Sequence, residues 1–146
     1  MSVVANMMSS RNECAERKSQ VLLVEDDHGD ELLALRAFKM ACLPPPIVAR
    51  DGAEAIEILS ENSDFSLVLL DVKLPKVNGF EVLKQIRTRE ATRKLRVVML
   101  SSSDVQADID ASYQLGANSF VTKPVVFSEY LATVRGVLLY WTGVEK

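Results

Sequence analysis

The chain has 146 residues, with 17 Lys plus Arg against 20 Asp plus Glu, so its formal net charge is −3 with the single His neutral. Hydrophobic residues make up 48% and charged residues 25%. These proportions are typical of a soluble globular protein, and the length fits one domain of roughly 100–200 residues. They exclude a collagen-like or disordered chain. The weak negative charge also argues against nucleic acid as a partner, because binding to a phosphate backbone requires a cationic surface.

The two cysteines, Cys14 and Cys42, lie outside any CxxC pair and have no histidine at ligand spacing, so the sequence does not predict a structural zinc site. No apolar run approaches the roughly 20 residues that a membrane-spanning helix needs. Residues 1–20 also lack the apolar core of about 7–15 residues that signal peptides contain. We therefore expect a cytoplasmic protein with no membrane partner.

Residues 1–19 mix Ser, Asn, Met and charged residues without a period, which predicts a flexible N-terminal arm before a folded domain at 20–146. In that domain, apolar runs alternate with helix-like segments five times. The predicted strand and helix pairs are 21–24 with 31–41, 47–49 with 53–60, 67–70 with 79–88, 97–100 with 105–115, and 119–121 with 127–141. Because continuous apolar runs are typical of strands covered on both faces, we predict a parallel α/β sandwich.

The breaks between these elements support the same division. Pro44, Pro45 and Pro46 separate the first predicted helix from the second strand, and Gly116 stands where the fourth helix should end. Apolar residues of the last helix form one stripe that predicts a core face: Tyr130, Leu131, Val134, Val137, Leu138 and Trp141. Leu139 and Tyr140 fall outside that stripe. They indicate either a partner surface or ordinary exposed apolar residues.

Polar residues follow four of the predicted strands, at the sheet edge where ligands of open parallel sheets bind. They are Glu25, Asp26 and Asp27 after the first strand, Asp71 after the third, Ser101 after the fourth and Lys123 after the fifth. Any one alone is more often a helix cap or a solvated side chain. Clustered carboxylates repel one another unless a cation joins them, so the set predicts a hard divalent ion such as Mg²⁺. Lys123 and Ser101 are then placed to contact a phosphoryl oxygen.

Four motifs follow the predicted strands and their loops: LLVEDD at 22–27, LLDVKLP at 69–75 with Gly79, VMLS at 98–101, and GANSFVTKP at 116–124. Together they resemble the receiver domains of two-component response regulators. The resemblance implies the flavodoxin-like (βα)5 receiver fold, a parallel five-stranded sheet of order 2-1-3-4-5 with helices on both faces. It also implies a signalling switch rather than an enzyme, whose only chemistry is its own phosphorylation and dephosphorylation.

Residue by residue, the resemblance implies that Asp71 is the phosphoacceptor and Lys123 the phosphate-binding lysine. Glu25 and Asp26 correspond to the acidic pair that binds Mg²⁺ together with Asp71, and Lys73 to the residue that contributes its backbone carbonyl. The phosphoryl donor implied is a histidine kinase or a phosphotransfer protein.

The resemblance further implies a conformational switch. Ser101 corresponds to the hydroxyl that moves toward the phosphoryl group, and Phe120 to the aromatic residue that follows it. The surface expected to change consists of the fourth helix, the fifth strand and the fifth helix. The Lys123–Pro124 bond is expected to be cis, a form that only X–Pro bonds adopt at low cost.

A narrower resemblance is to single-domain regulators associated with bacterial phytochrome kinases. It is carried by DVKLPK at 71–76, SYQLGAN at 112–118 and the later pair Tyr140 and Trp141. Members of that group commonly dimerise through the last helix, so the resemblance implies a homodimer face that includes Leu139 and Tyr140. The downstream protein target is not implied.

Two other functions compete with this interpretation. One is a receiver-fold interaction module that works without phosphorylation, which the intact Asp71, Lys123 and Asp26 argue against. The other is a haloacid-dehalogenase-like phosphatase with an aspartyl nucleophile, which would need a second Asp where Lys73 stands. His28 is expected to be a surface group. The basic residues at 84–96 lack interleaved aromatic residues and are interpreted as a solvated helix face.

Overall fold

The computed structural model describes residues 20–143, so the predicted N-terminal arm and the last three residues lie outside the described range. Five strands alternate with five helices within it. The strands are β1 (Val21–Val24), β2 (Ile47–Ala49), β3 (Leu67–Asp71), β4 (Val97–Ser101) and β5 (Ser119–Thr122). The helices are α1 (His28–Met40), α2 (Gly52–Glu61), α3 (Gly79–Thr88), α4 (Gln106–Gln114) and α5 (Phe127–Trp141). None of these helices is both long and apolar enough to cross a membrane.

The strands form one parallel sheet in the order β2-β1-β3-β4-β5, which confirms the predicted fold. All residues of β1, β3 and β4 are buried, as expected for strands covered by helices on both faces. The register pairs Asp71 with Leu100 and Ser101 with Thr122. Side chains at the ends of β3, β4 and β5 therefore meet at one edge of the sheet.

Four of the five helices form the two cores that cover the faces of the sheet. Leu22 and Val24 point toward the core formed with α2 and α3, whereas Val21 and Leu23 point toward the core formed with α1 and α5. This alternation follows from the two-residue period of a strand. The predicted stripe of α5 is largely confirmed, because its fully buried members are Tyr130, Val134 and Leu138.

The helices differ in how they begin. Asp27 caps α1 by accepting a hydrogen bond from the Asp30 amide at 2.8 Å. The helix therefore starts at His28, three residues before the predicted start, because an Asp at this position satisfies the free amides of the first turn. By contrast, α4 begins without a side-chain cap at Val105, and Ser112 is its one buried residue. It is the most weakly held of the helices.

The prediction that Leu139 and Tyr140 form a second face of α5 is wrong in part. Leu139 is partly buried and packs against the α1/α5 core, so it does not form a second exposed face. Tyr140 is 70% exposed, and its ring contacts the edge of Trp141 with ring centres 4.9 Å apart. Dimerisation through this face stays a prediction that depends on Tyr140 alone.

The basic tract is also more structured than the sequence indicated. The Arg87 guanidinium of α3 donates to the Gly116 carbonyl at 2.8 Å, to the Leu95 carbonyl at 2.7 Å and to Asn118 Oδ1 at 3.0 Å. It ties α3 to the loops that precede β4 and β5. Gly116 itself has φ 97, which confirms its predicted place after α4.

Gly79 allows α3 to begin directly against the backbone of β3. Its amide donates to the Val72 carbonyl at 2.8 Å. A Cβ atom here would overlap the Asp71 carbonyl oxygen, so the close approach requires glycine. Gly136 in α5 is the opposite case, because beyond its own helix no described atom lies within 4 Å of a Cβ built there.

We predict that Gly79→Ala lowers the free energy of unfolding by about 2–3 kcal/mol, because the methyl group forces the backbone of β3 and α3 apart. The matched variant Gly136→Ala should leave stability unchanged or raise it by about 0.5–1 kcal/mol, since alanine favours a helix over glycine. Urea unfolding followed by circular dichroism measures both. Equal stability of the two variants would show that the close contact at Gly79 does not constrain the fold.

Candidate functional site

Three of the predicted carboxylates meet at the carboxyl end of the sheet. Glu25 and Asp26 follow β1, and Asp71 ends the neighbouring strand β3. One carboxylate oxygen from each of the three residues lies within 4.8 Å of those from the other two. Glu25 and Asp71 are buried, whereas Asp26 is exposed. The fold therefore assembles the acidic set that the sequence predicted.

The Lys123 ammonium group lies in the middle of this cluster. Its Nζ donates to Glu25 Oε1 at 2.7 Å, to Asp71 Oδ2 at 2.9 Å and to Asp30 Oδ2 at 3.0 Å. An ammonium has three protons, so these three carboxylates use all of them. Asp30 was not predicted as a site residue. Its contact depends on where the first turn of α1 packs, which a one-dimensional pattern does not show.

Burial and charge act in opposite directions on these groups. Burial and the neighbouring Glu25 raise the pKa of Asp71, and the attraction of Lys123 only partly offsets them. Burial lowers the pKa of Lys123, but the stronger attraction of Asp71 and Glu25 raises it, so the ammonium stays charged. One ammonium faces four carboxylates when Asp26 and Asp30 are included. The site therefore carries excess negative charge.

One oxygen of Asp71 is left available. Oδ1 lies 2.7 Å from Lys123 Nζ, but the geometry of a hydrogen bond is met at Oδ2, and Oδ1 is a buried atom without a hydrogen-bond partner among the described residues. Buried polar atoms are nearly always paired. A carboxylate oxygen without a hydrogen-bond partner, beside two further carboxylates, fits a hard divalent cation, which prefers oxygen ligands.

A groove of about 480 Å³ gives access to the acidic cluster. It lies between the loop after β3, the start of α3 and α4, and its lining includes Asp26, Lys73, Pro75 and Asn78. Lys73 is exposed at this opening. The contribution of its backbone carbonyl to a metal site stays a prediction. His28 is exposed at the start of α1, as expected.

Ser101 and Phe120 lie on β4 and β5, on the side of β3 away from β1. Ser101 is buried at the end of β4, where its Oγ accepts from the Ser103 amide at 3.1 Å and its carbonyl accepts from the Lys123 amide at 2.7 Å. Phe120 is half-buried against the α2/α3 core, and its amide donates to the Tyr113 hydroxyl at 3.2 Å. Their roles as switch residues stay predictions.

The Lys123–Pro124 bond is trans, since no peptide bond of the described chain is cis. The predicted cis form is therefore wrong for this structure. The trans form is favoured by about 0.5–1 kcal/mol at X–Pro bonds. It already places Lys123 Nζ on three carboxylates, so the contacts of the site do not require the cis form.

Tyr130 is a buried polar group near the site that sequence reasoning assigned only to the core. Its side chain lies in the α1/α5 core, and its hydroxyl has no hydrogen-bond partner within residues 20–143. Burial raises the pKa of Tyr130, so the phenol is neutral beside the carboxylates.

Residues 21–135 match the family model of the response regulator receiver domain. The chain belongs to this family. The match covers the whole sheet and every residue of the acidic cluster, which confirms the resemblance carried by the four sequence motifs.

Three relatives are similar to this chain over most of their own length. The probable methanogenesis regulatory protein FilR2 of Methanothrix harundinacea is 38% identical over 138 residues, covering 90% of this chain and 89% of FilR2. Response regulator Rcp1 of Synechocystis sp. is 32% identical over 128 residues, covering 83% and 87%. A Mn²⁺-bound crystal structure of Rcp1 aligns with a TM-score of 0.78 at 31% identity, covering 85% and 94%. The phosphorylated cyanobacterial phytochrome response regulator RcpA aligns with a TM-score of 0.81 at 32% identity, covering 87% and 96%.

We predict that Asp71→Asn stabilises the metal-free protein near neutral pH. The folded-state pKa of Asp71 lies above its ordinary value of 3.8, so folding binds a proton. The penalty is absent below the unfolded pKa and grows as pH rises through the range between the two values. In a chelating buffer, Tm should exceed that of the wild type by about 3–8 °C at about pH 8, with no gain near pH 4. The exposed residue Asp64 supplies the control variant Asp64→Asn. An Asp71→Asn profile parallel to wild type would contradict the prediction.

Proposed function

We propose that this receiver accepts a phosphoryl group on Asp71 from a histidine kinase or a phosphotransfer protein. The observation that carries the proposal is the buried Asp71 Oδ1, which has no hydrogen-bond partner within the described chain and lies 2.7 Å from the Lys123 ammonium. A carboxylate oxygen with a free lone pair is the nucleophile that such a transfer requires. The phosphorylated state named for the relative RcpA supports the same chemistry.

In the proposed step, an Asp71 carboxylate oxygen attacks phosphorus and the P–N bond to the donor histidine breaks. The products are an acyl phosphate on Asp71 and a neutral donor imidazole, which retains the bonding electron pair and binds a proton. Lys123 holds its charge close to the reacting carboxylate and can donate to a phosphoryl oxygen. Phosphoryl transfer depends chiefly on positioning and on neutralising the phosphoryl oxygens, which is what this arrangement offers.

We propose Mg²⁺ as the cofactor. Glu25, Asp26 and Asp71, with the Lys73 carbonyl, would hold it, and when bound it supplies positive charge to the phosphoryl oxygens. The oxygen-only donor set of the cluster supports this assignment. So does the Mn²⁺ named for the structure of Rcp1, because Mn²⁺ and Mg²⁺ both favour oxygen ligands.

The proposed output is a change of the α4–β5–α5 surface. Ser101 would move toward the phosphoryl group, and Phe120 would occupy the space that it leaves. Helix α4 buries one residue and has no side-chain cap, so it is weakly packed. Weak packing of α4 supports a movement of the surface to which it belongs. Among the described strands β5 pairs with β4 alone, and its edge position supports a partner surface on its other side.

The upstream kinase is proposed to be of the phytochrome type, because RcpA is named as a phytochrome response regulator. The relative FilR2 is named instead as a probable methanogenesis regulatory protein. The phosphatase alternative has no support at its second residue, because exposed Lys73 stands where that chemistry needs an acid.

The proposal is tested by intact-mass analysis after incubation with acetyl phosphate and Mg²⁺. Wild type and the control Asp64→Asn should each gain one phosphoryl adduct, and Asp71→Asn and a chelator-treated sample should gain none. A wild type that binds Mg²⁺ but forms no adduct would contradict the proposal and favour a receiver-fold module that works without phosphorylation. Transfer from a purified phytochrome kinase in the same assay tests the proposed upstream partner.

A further inference from the structure

Asp30 is a carboxylate of the site that the proposed phosphoryl transfer does not use. It lies in the first turn of α1, and its Oδ2 is 3.0 Å from Lys123 Nζ. The position of Asp30 is fixed because its own amide donates to the capping carboxylate of Asp27 at 2.8 Å. The ion pair is partly shielded, with the Lys123 side chain 9% exposed and that of Asp30 32% exposed.

The three carboxylates on Lys123 are not equivalent. Glu25 and Asp71 belong to the oxygen cluster that fits a divalent ion, whereas Asp30 does not belong to it. A bound cation competes with the ammonium for Glu25. Phosphorylation converts an Asp71 oxygen into an acyl phosphate and removes the carboxylate charge. Asp30 is therefore the one of these three partners that neither a cation in the cluster nor a phosphoryl group on Asp71 would engage directly.

We propose that Asp30 is a positioning residue that keeps the Lys123 ammonium beside Asp71 before and during phosphoryl transfer. This inference rests on the proposed function. Lys123 carries its charge on a flexible four-carbon side chain with many rotamers. When Glu25 and Asp71 are engaged elsewhere, the contact with Asp30 restricts that freedom. A restricted ammonium lowers the barrier to transfer, because positioning contributes directly to the rate.

The negative charge of Asp30 has a separate effect on substrate binding. Asp30 Oδ2 lies 3.0 Å from the Lys123 ammonium, so its charge weakly opposes the attraction of that ammonium for an anionic phosphoryl donor. Removing the charge should therefore not weaken donor binding, whereas a loosened Lys123 should slow the chemical step. A positioning role thus predicts a lower maximal rate without a higher half-saturating donor concentration. A purely electrostatic role of Asp30 predicts a lower half-saturating concentration with an unchanged or higher maximal rate.

The test uses the full chain with acetyl phosphate as the donor and saturating Mg²⁺. Initial rates of adduct formation, measured by intact mass over a range of donor concentrations, give the maximal rate and the half-saturating concentration. The variants are Asp30→Asn, which keeps the helix amide and the side-chain shape, and Asp30→Glu, which restores the charge. Glu129→Gln is the matched control, since Glu129 is an exposed acid in the first turn of α5. Thermal unfolding of the two Asp30 variants is compared with that of Glu129→Gln to confirm that they fold. If Asp30→Asn does not fold, Asp30→Ser takes its place.

We expect Asp30→Asn to lower the maximal rate roughly tenfold, equivalent to about 1.4 kcal/mol in the barrier, with an unchanged or lower half-saturating concentration. Asp30→Glu should recover part of the rate, and Glu129→Gln should match the wild type. A maximal rate of Asp30→Asn equal to or above that of the wild type would overturn the inference and leave the proposed function intact. A wild type without an adduct would overturn both.

Discussion

The ion pairs of Lys123 are the interaction on which the rest of the site depends. One ammonium joins β1, α1 and β3 through Glu25, Asp30 and Asp71, which lie 98, 93 and 52 residues away in the sequence. Transferring charged groups out of water is costly unless they are paired and hydrogen-bonded. The pairing is incomplete here because the carboxylates outnumber the ammonium. Burial, together with that imbalance, raises the pKa of Asp71, and the excess carboxylates create a place for a cation and an anionic phosphoryl group.

The parallel sheet makes this concentration of charge geometrically straightforward. Parallel strands end at one edge, so residues that follow β1, β3, β4 and β5 converge without any long loop. The close approach of Gly79 to the Asp71 carbonyl holds the start of α3 against the same edge. Helices α1 and α5 share a core beneath the site. Stability and site geometry therefore depend on the same packing, whereas the weakly packed α4 stands apart from it.

Patterns local in the sequence predicted much of this structure. Continuous apolar runs identified all five strands, and the residues after them identified Glu25, Asp26, Asp71 and Lys123. The strand order came from the resemblance to receiver domains, because apolar patterns do not encode the order of pairing. The start of α1 was misplaced, although the preference of Asp for the capping position could have located it at Asp27.

The features that sequence reasoning missed are contacts between distant segments. Asp30 meets Lys123, and Arg87 binds the carbonyl groups of two loops, only because the helices pack as they do. Tyr113 reaches the amide of Phe120 for the same reason. The predicted cis form of the Lys123–Pro124 bond, which is trans in the structure, is a different kind of error. That prediction came from the family resemblance and not from any property of the local sequence.

The most direct test of the charge imbalance is calorimetric titration with Mg²⁺ near neutral pH, repeated in buffers of different ionisation enthalpy. Because the raised pKa of Asp71 means that the metal-free site holds a proton, we predict that binding of the ion releases up to about one proton. Asp71→Asn should bind more weakly and release fewer. Tight binding with no proton release, or no binding at all, would contradict the view that excess buried negative charge defines this site.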